Sequence, residues 1–476
     1  MDSPMPSESS ATAHQSLAPI SRYSYYALGV LTLVNFLNYI DRQILPAVAT
    51  LMQEDLRLTD TEIGAMEASL LLSFTVLAPL FGRLGDRYSR TRLMATAAVL
   101  WSIATALTGI IDRSPVLPGA IHVNVPLVQF SLGLSGVAIL LCVVRAAVGV
   151  GESSYSTITP SLIADYFPLH WRATALGIFQ AAIPMGFALG AVIGVVLANF
   201  FGWRMAFMIV GVPGMITAAF VWRLREPARG IHDTETNTPR VTAQPTESWL
   251  RTSWKIIRNR NWFLSTAGYT ALTFVLGAFG TWATILLRRE KGMSLQAAGI
   301  TLGVVILLAG AAGTFGGGWI ADHIARKRPN AYWLVCAASS FFGIIPAFVS
   351  LSASNPLVFI PAIFFTVLFL FINNAPFHAI LVNSVSANVR ATAVALNIVA
   401  IHIFGDVISR FGVGVLSDSL YAGGLQTLAS IARFLGIDPK NEHLTAALLV
   451  VPVALLLSSA FFLWGGRKQG TNSMTT

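Results

Sequence analysis

The stretch GRLGDRYSRTR at residues 82–92 returns as GWIADHIARKR at residues 318–328. Both read G-x-x-x-D-x-x-x-R-x-R, and each follows directly on a long apolar run. A second echo accompanies the first, since RATA at 172–175 returns as RATA at 390–393. Two motifs repeated at matched places mark a chain built from two similar halves. Parallel repeats of this kind are the arrangement of carriers that rock one half against the other.

Outward from the first motif, apolar runs fall at about 25–50, 61–84, 92–111, 132–163, 173–200 and 203–224. They resume at 262–287, 296–321, 331–353, 356–385, 391–416 and 443–465. A membrane span needs ~20 apolar residues, so the pattern predicts twelve. The predicted fold is an all-α membrane protein of twelve transmembrane helices in two pseudo-symmetric six-helix halves. Its parts are a tail at 1–24, a bundle at 25–224, a linker at 225–261, a second bundle at 262–466 and a tail at 467–476. The linker's Pro227, Gly230, Pro239 and Pro245 interrupt regular structure. Its end sets Trp249, Leu250, Trp254, Ile256 and Ile257 among Arg251, Lys255 and Arg258, a pattern that fits either a helix lying in the membrane interface or an irregular basic linker.

Composition agrees. Of 476 residues, 54% are hydrophobic and 11% charged, with mean hydropathy +0.66. Soluble domains carry about 25% charged residues, and disordered chains carry more still, so both classes are excluded. The formal charge of +9 is a matter of topology rather than of nucleic acid. With both termini cytosolic, 20 Lys and Arg fall inside, 8 outside and 3 within spans, which is the positive-inside distribution. Residues 1–21 hold no Lys or Arg and lack the pattern of a signal peptide. Cys142 and Cys336 sit in apolar runs, so no disulfide framework is expected.

Gly82, Asp86, Arg87, Arg90 and Arg92 resemble the signature loop of the major facilitator superfamily, and Arg145, Gly149 and Gly151 resemble its fourth-helix motif. Within that superfamily, NYIDR at 38–42, GDRY at 85–88, GVGESSYSTI at 149–158 and LIAD at 162–165 resemble the Spinster family. The resemblance implies alternating-access transport of lysophospholipids or sphingoid-base phosphates, or in bacterial members of other amphiphiles; the buried acids taken up below make protons the expected coupling ion, with no other cofactor. Proton-coupled symporters of organic anions also carry an Asn-Tyr-x-Asp-Arg segment, so that reading stays open. A drug/proton antiporter is the further alternative, although the fifth run lacks the Gly-Pro pair of that class.

Charges inside a bilayer cost roughly 2.5–3.5 kcal/mol each and so need a reason. At ~1.5 Å per residue, Asp41 on the first span and Glu152 on the fourth lie at similar depth. Arg42 is adjacent to Asp41, and Arg145 lies two turns from Glu152. One buried cluster is expected, with Asp41 and Glu152 as proton-coupling acids and Arg42 and Arg145 as substrate or charge partners. Arg42 is expected to neutralise Asp41. Tyr39 and Tyr155, beside the cluster, are further candidates for substrate binding or charge partnering. From the other half, Tyr269, Asn373, Asn374 and His402 are candidate cavity residues, although interhelical hydrogen bonding explains such groups equally well. His402, Asp406 and Arg410 fall on one face, with Arg410 expected at the outer interface. Phe364, Phe365, Phe369 and Phe371 give the second half an apolar character that suits an alkyl tail, and equally a lipid-facing surface. Gly82, Asp86, Arg87, Arg90, Asp165 and Asp322 are expected to form a conformational latch closing the cytosolic side.

No enzyme constellation stands out, because the histidines and serines are scattered, and no metal set is expected. The expected setting is a plasma or bacterial inner membrane, crossed by a functional monomer whose partners are an amphiphilic substrate and membrane lipids, not nucleic acid.

Overall fold

The computed structural model describes residues 20–111, 121–125, 130–229, 231, 249–386 and 389–471. The first half comprises α1 (Arg22–Leu56), α2 (Asp60–Arg87), α3 (Arg90–Thr108), α4 (Gly136–Tyr166) and α5 (Leu169–Trp222). Between α3 and α4 lies an antiparallel hairpin of β1 (Ile121–Val125) and β2 (Phe130–Leu134), with Ile121 opposite Leu134. The apolar runs do not predict the hairpin, although the alternating residues of β1 fit a strand.

After α6 (Trp249–Arg258), the second half comprises α7 (Arg260–Arg289), α8 (Leu295–Ala325), α9 (Ala331–Ser352), α10 (Pro356–Ile372) and α11 (Asn374–Asn383). It continues with α12 (Arg390–Ala400), a π-helical turn at Ile401–Val407, α13 (Ile408–Tyr421), α14 (Gln426–Phe434), α15 (His443–Leu448) and α16 (Val450–Thr471).

Among the described residues, ten helices are long and apolar enough to cross a membrane. Two features bring the passes to twelve. The 54 residues of α5 are far longer than one crossing needs, and Gly202, with φ at 78°, splits it into two passes. The other pass is α1, whose apolar character is diluted by Asn35, Asn38, Asp41, Arg42 and Gln43. The pairs α10–α11 and α15–α16 each form one pass, as does the series from α12 to α13.

Local chemistry sets several helix starts. Ser21, Ser135 and Ser294 cap α1, α4 and α8 by accepting from backbone amides. Thr59 and Glu62 form a reciprocal capping box on α2. Within the first half, Leu31, Val34, Met94, Leu162 and Phe167 are buried together. In the second half, Leu272, Trp282, Cys336, Phe359 and Leu370 are buried in a common core.

One face of the bundle carries the starts of α1 and α7 and the ends of α2, α4 and α16; it is called here the terminal face. The halves meet along two seams nearer the opposite face. Along α5 and α8, a Cβ on Gly299 would lie 2.5 Å from Val195, and one on Gly303 2.7 Å from the carbonyl of Ala188. Along α2 and α13, a Cβ on Gly64 would lie 2.5 Å from the carbonyl of Arg410, and Gly414 abuts the carbonyl of Asp60. Small residues let helix backbones touch where no aqueous environment drives them together.

Candidate functional site

At the opposite face, the seam is closed by charge. Asp60, the first residue of α2, accepts from both terminal nitrogens of Arg289 at 2.8 Å and from Ser417 at 2.6 Å. The amides of Asp60 and Thr61 donate to Asp418 at 3.2 and 2.7 Å. Arg288 reaches Thr50 and Glu54. Beside this cluster, burial pushes the carboxyl of Glu290 up, against hydrogen bonds from Thr445 and Leu444 and the charge of Arg289. Asp60, Arg289 and Asp418 were not selected from sequence, because charges at span ends look like ordinary interface residues.

Deeper in, Glu67 of α2 joins three elements. One oxygen accepts from Arg145 of α4 at 3.3 Å, the other from Arg410 of α13 at 2.5 Å. Arg410 also donates to Thr281 of α7 at 2.9 Å. Arg410 is therefore not a residue of the outer interface, as its position in the chain implies, but part of a mid-bundle ion cluster. Glu67 interrupts the second apolar run as Asp41 interrupts the first, so the rule that selects Asp41 applies equally to Glu67.

Toward the middle of the interface lies the candidate binding region. Arg42 Nε donates to Glu152 Oε2 at 2.7 Å. The Arg42 guanidinium sits 5.0 Å from the Tyr39 ring centroid and 4.9 Å from that of Phe74, which makes a cation held between aromatic faces. Arg42 keeps 14% of its side chain exposed while Glu152 keeps none, so the cation fronts the space between the halves and the acid backs it. Phe74 meets the His402 ring edge-on at 5.9 Å across the interface. His402 in turn bonds Asp406 at 2.8 Å. Both lie in the π-helical turn, a distortion frequent at functional sites.

The four predicted charges do not form one mutually paired cluster. Asp41 is not neutralised by Arg42. Its Oδ2 accepts instead from Trp101 and, at 2.6 Å, from Thr105, both on α3. Successive residues on a helix point about 100° apart, so Asp41 and Arg42 face different neighbours. Arg145 pairs with Glu67 rather than Glu152. Asp41 Oδ1, Glu152 Oε1 and Arg145 Nε and Nη1 are buried without a hydrogen-bond partner among the described residues.

Other expected residues divide. Tyr269 stacks on Phe377, with centroids 3.7 Å apart, and donates to Asn374 at 2.9 Å. Asn373 is buried against Ser339 at 2.8 Å, so it joins helices within the second half. Tyr155 is buried and donates to the carbonyl of Leu31, a packing contact within the first half. The phenylalanines of α10 are spread over several neighbours. Phe369 packs against Gly343 and Phe342, Phe371 against Gly310 and Gly313, and Phe365 is exposed.

The expected latch is present only as two separate halves. Arg90 donates to Asp165 at 2.6 Å and to Glu226 at 3.0 Å, and Asp322 accepts from Tyr332 at 2.9 Å. Burial opposes the charge on Glu226, but hydrogen bonds from Ser89 and Arg90 outweigh it and hold its carboxyl below its ordinary value. That network is therefore favoured above the ordinary carboxylate range and lost as pH falls through the lowered value. Gly82 lies near Thr157 of its own half. Asp86 and Arg87 are exposed, and no hydrogen bond joins them to the second half among the described residues. The same holds for the whole terminal side: among the described residues, every hydrogen bond between halves lies at Glu67–Arg410 or nearer the opposite face. Among the described residues, hydrogen bonds fasten the halves at the opposite face and none fastens them at the terminal face.

Paired six-helix halves fastened to one another at one face are the architecture of a membrane transporter, and the comparisons agree. The family model described as Major Facilitator Superfamily matches residues 31–409. Protein spinster of Drosophila melanogaster is 30% identical over 427 residues, covering 86% of this chain and 65% of that protein, just under two thirds of its length. Protein spinster homolog 1 of Rattus norvegicus is 32% identical over 472 residues, covering 96% of this chain and 84% of the other. A crystal structure described as a bacterial homolog to the human lysosomal transporter Spinster, inward-facing and unoccupied, matches with a TM-score of 0.77 at 19% identity. It covers 94% of this chain and 98% of that one, a likeness of fold. This chain belongs to the Spinster family of the major facilitator superfamily.

Proposed function

We propose that this transporter moves an amphiphile with an acidic head group across a cell membrane, coupled to protons, with the terminal face in the cytosol. The observation that carries the reading is Arg42, a partly exposed cation between Tyr39 and Phe74 whose counter-ion is the buried Glu152. An anionic head that takes over Arg42 leaves Glu152 desolvated and unpaired, a condition under which a carboxylate takes up a proton. Asp41, buried at the same depth and bonded only by the neutral donors Trp101 and Thr105, is the second coupling acid. Toward the terminal face, Phe315 and Trp319 of α8 and Ile178 and Met185 of α5 are exposed. These apolar margins flank the parted seam and give an alkyl tail a route from the lipid. The carrier works as a monomer, since each element of the cycle lies within one chain, and the chemistry is transport without conversion of substrate.

The test is ligand-dependent melting of purified protein across lysolipids, sphingoid bases and small organic anions, followed by proteoliposome flux. Stabilisation by the single-chain lipids is the expected result. Stabilisation by organic anions alone overturns the amphiphile reading. Asp41→Asn and Glu152→Gln should each permit exchange of substrate while abolishing accumulation driven by a pH gradient. Gradient-driven accumulation in both variants removes these acids from coupling.

Asp86 of the signature loop is exposed at the terminal face. In the alternate state, with that face closed, it would bond helix amides of the second half. Asp86→Asn should therefore favour the parted state, seen as faster labelling of a cysteine placed deep in the terminal vestibule, and Asp322→Asn should do so less. Unchanged labelling in the Asp86 variant removes the latch.

A further inference from the structure

Glu67 is a buried acid that the proposed cycle leaves unused, and it holds one partner in each half. Arg145 travels with it, because α2 and α4 belong to the same bundle. Arg410 belongs to the other. The seam beside it is closed through backbone contacts at Gly64 and Gly414, so opening the opposite face must draw Arg410 away from Glu67.

The charge count then changes within the first half. Its interior holds Asp41, Glu67 and Glu152 against Arg42 and Arg145, all buried or nearly so. While the seam is closed, Arg410 supplies the missing cation. Once it opens, Arg410 stays with Asp406 and His402, and three acids share two arginines. No other charge takes its place: α7 presents the neutral Thr281. On α2 itself, Asp60 and Glu62 lie nearer the opposite face, engaged by Arg289 and Ser417 and by the amides of Thr59 and Ser135 respectively.

We propose that Glu67 is a proton-carrying residue of the cycle: it takes up one proton when the opposite face opens, and the returning Arg410 expels it on closure. The proton comes from water on the opposite face and leaves to the space open to the terminal face, so one proton crosses for each opening and closing. The inference rests on the reading of this chain as proton-coupled, and adds an acid to Asp41 and Glu152.

The test is spin-label distance measurement across the opposite face, with labels at the exposed positions Phe201 and Phe434 in a background where Cys142 and Cys336 are replaced by serine. Acidification from pH 8 to pH 5 should raise the open population, because protonation relieves one uncompensated charge, an effect on the order of 100-fold in the opening equilibrium. Glu67→Gln should be more open at pH 8 and lose the acid response. Arg410→Gln leaves Glu67 with the same partner in both states and should also flatten the response. A residue that only ties the halves together would raise openness when replaced but leave the response to pH intact. A full acid response in either variant overturns the proposal. If Asp41→Asn flattens the response while Glu67→Gln does not, the coupling reading stands and Glu67 falls. A wild-type protein with no acid response sinks both.

Discussion

Arg42→Ala is expected to abolish transport while the protein still inserts and folds. Truncation leaves Glu152 buried without its cation, and losing one partner of a buried pair costs about 3–5 kcal/mol. Glu152 can relieve that cost by taking a proton, which spares the fold and removes the charge switch. The substrate's head group meanwhile loses its cation. Together these should lower initial flux by roughly 100-fold or more, a loss corresponding to ~2.7 kcal/mol of differential stabilisation. Arg42→Lys should rescue poorly, because a lysine ammonium cannot present the planar fork that faces Glu152 between two rings. Proteoliposome flux, normalised to correctly inserted protein, decides the matter. Normal flux in both variants would leave Arg42 a structural residue and the binding region elsewhere.

The second large effect is expected at the α2–α13 seam. A side chain at Gly64 meets the Arg410 carbonyl and, at 3.0 Å, the Phe411 Cα, and one at Gly414 meets the backbone of Asp60 and Thr61. These are main-chain atoms of helices that cannot step aside without moving the whole element. Gly64→Val and Gly414→Val should therefore forbid closure of the opposite face while leaving the state in which that face is open untouched. Each variant should be trapped with the terminal face closed. A cysteine in the terminal vestibule should label at least tenfold more slowly, and net transport should fall to background. Wild-type labelling and flux in either variant would mean that the seam is not the closing surface.

Much of this architecture was legible in sequence, and the limits have physical causes. The twelve passes follow from apolar runs, because lipid demands about the same length of every span. The pairing of halves follows from two repeated motifs. The Arg42–Glu152 pair was within reach because depth can be counted along a helix at a fixed rise. Which partner each charge takes was not, since it depends on helix rotation: Asp41 turns to α3 and Arg42 to the interface, although they are adjacent in the chain. Arg145 finds Glu67 because α2 and α4 set them side by side, which no distance along the chain reveals. The π-helical turn that carries His402 and Asp406 has no sequence signature of its own. The motif marks the loop after α2, yet a motif cannot say which contacts between halves its residues make, and Arg90 and Asp322 bond only within their own halves.

The first linker residues are fastened to the bundle they leave. Glu226 is held by Arg90, and Arg229 by the carbonyls of Gly85, Asp86 and Tyr88. At the other end, Ser253 and Ile256 of α6 are buried, and Asn259 bonds the Ser384 carbonyl of the second bundle at 2.9 Å. Each bundle therefore carries its own end of the linker as a fixed attachment, and the glycine seams at Gly64, Gly414, Gly299 and Gly303 are where the two bundles bear on one another.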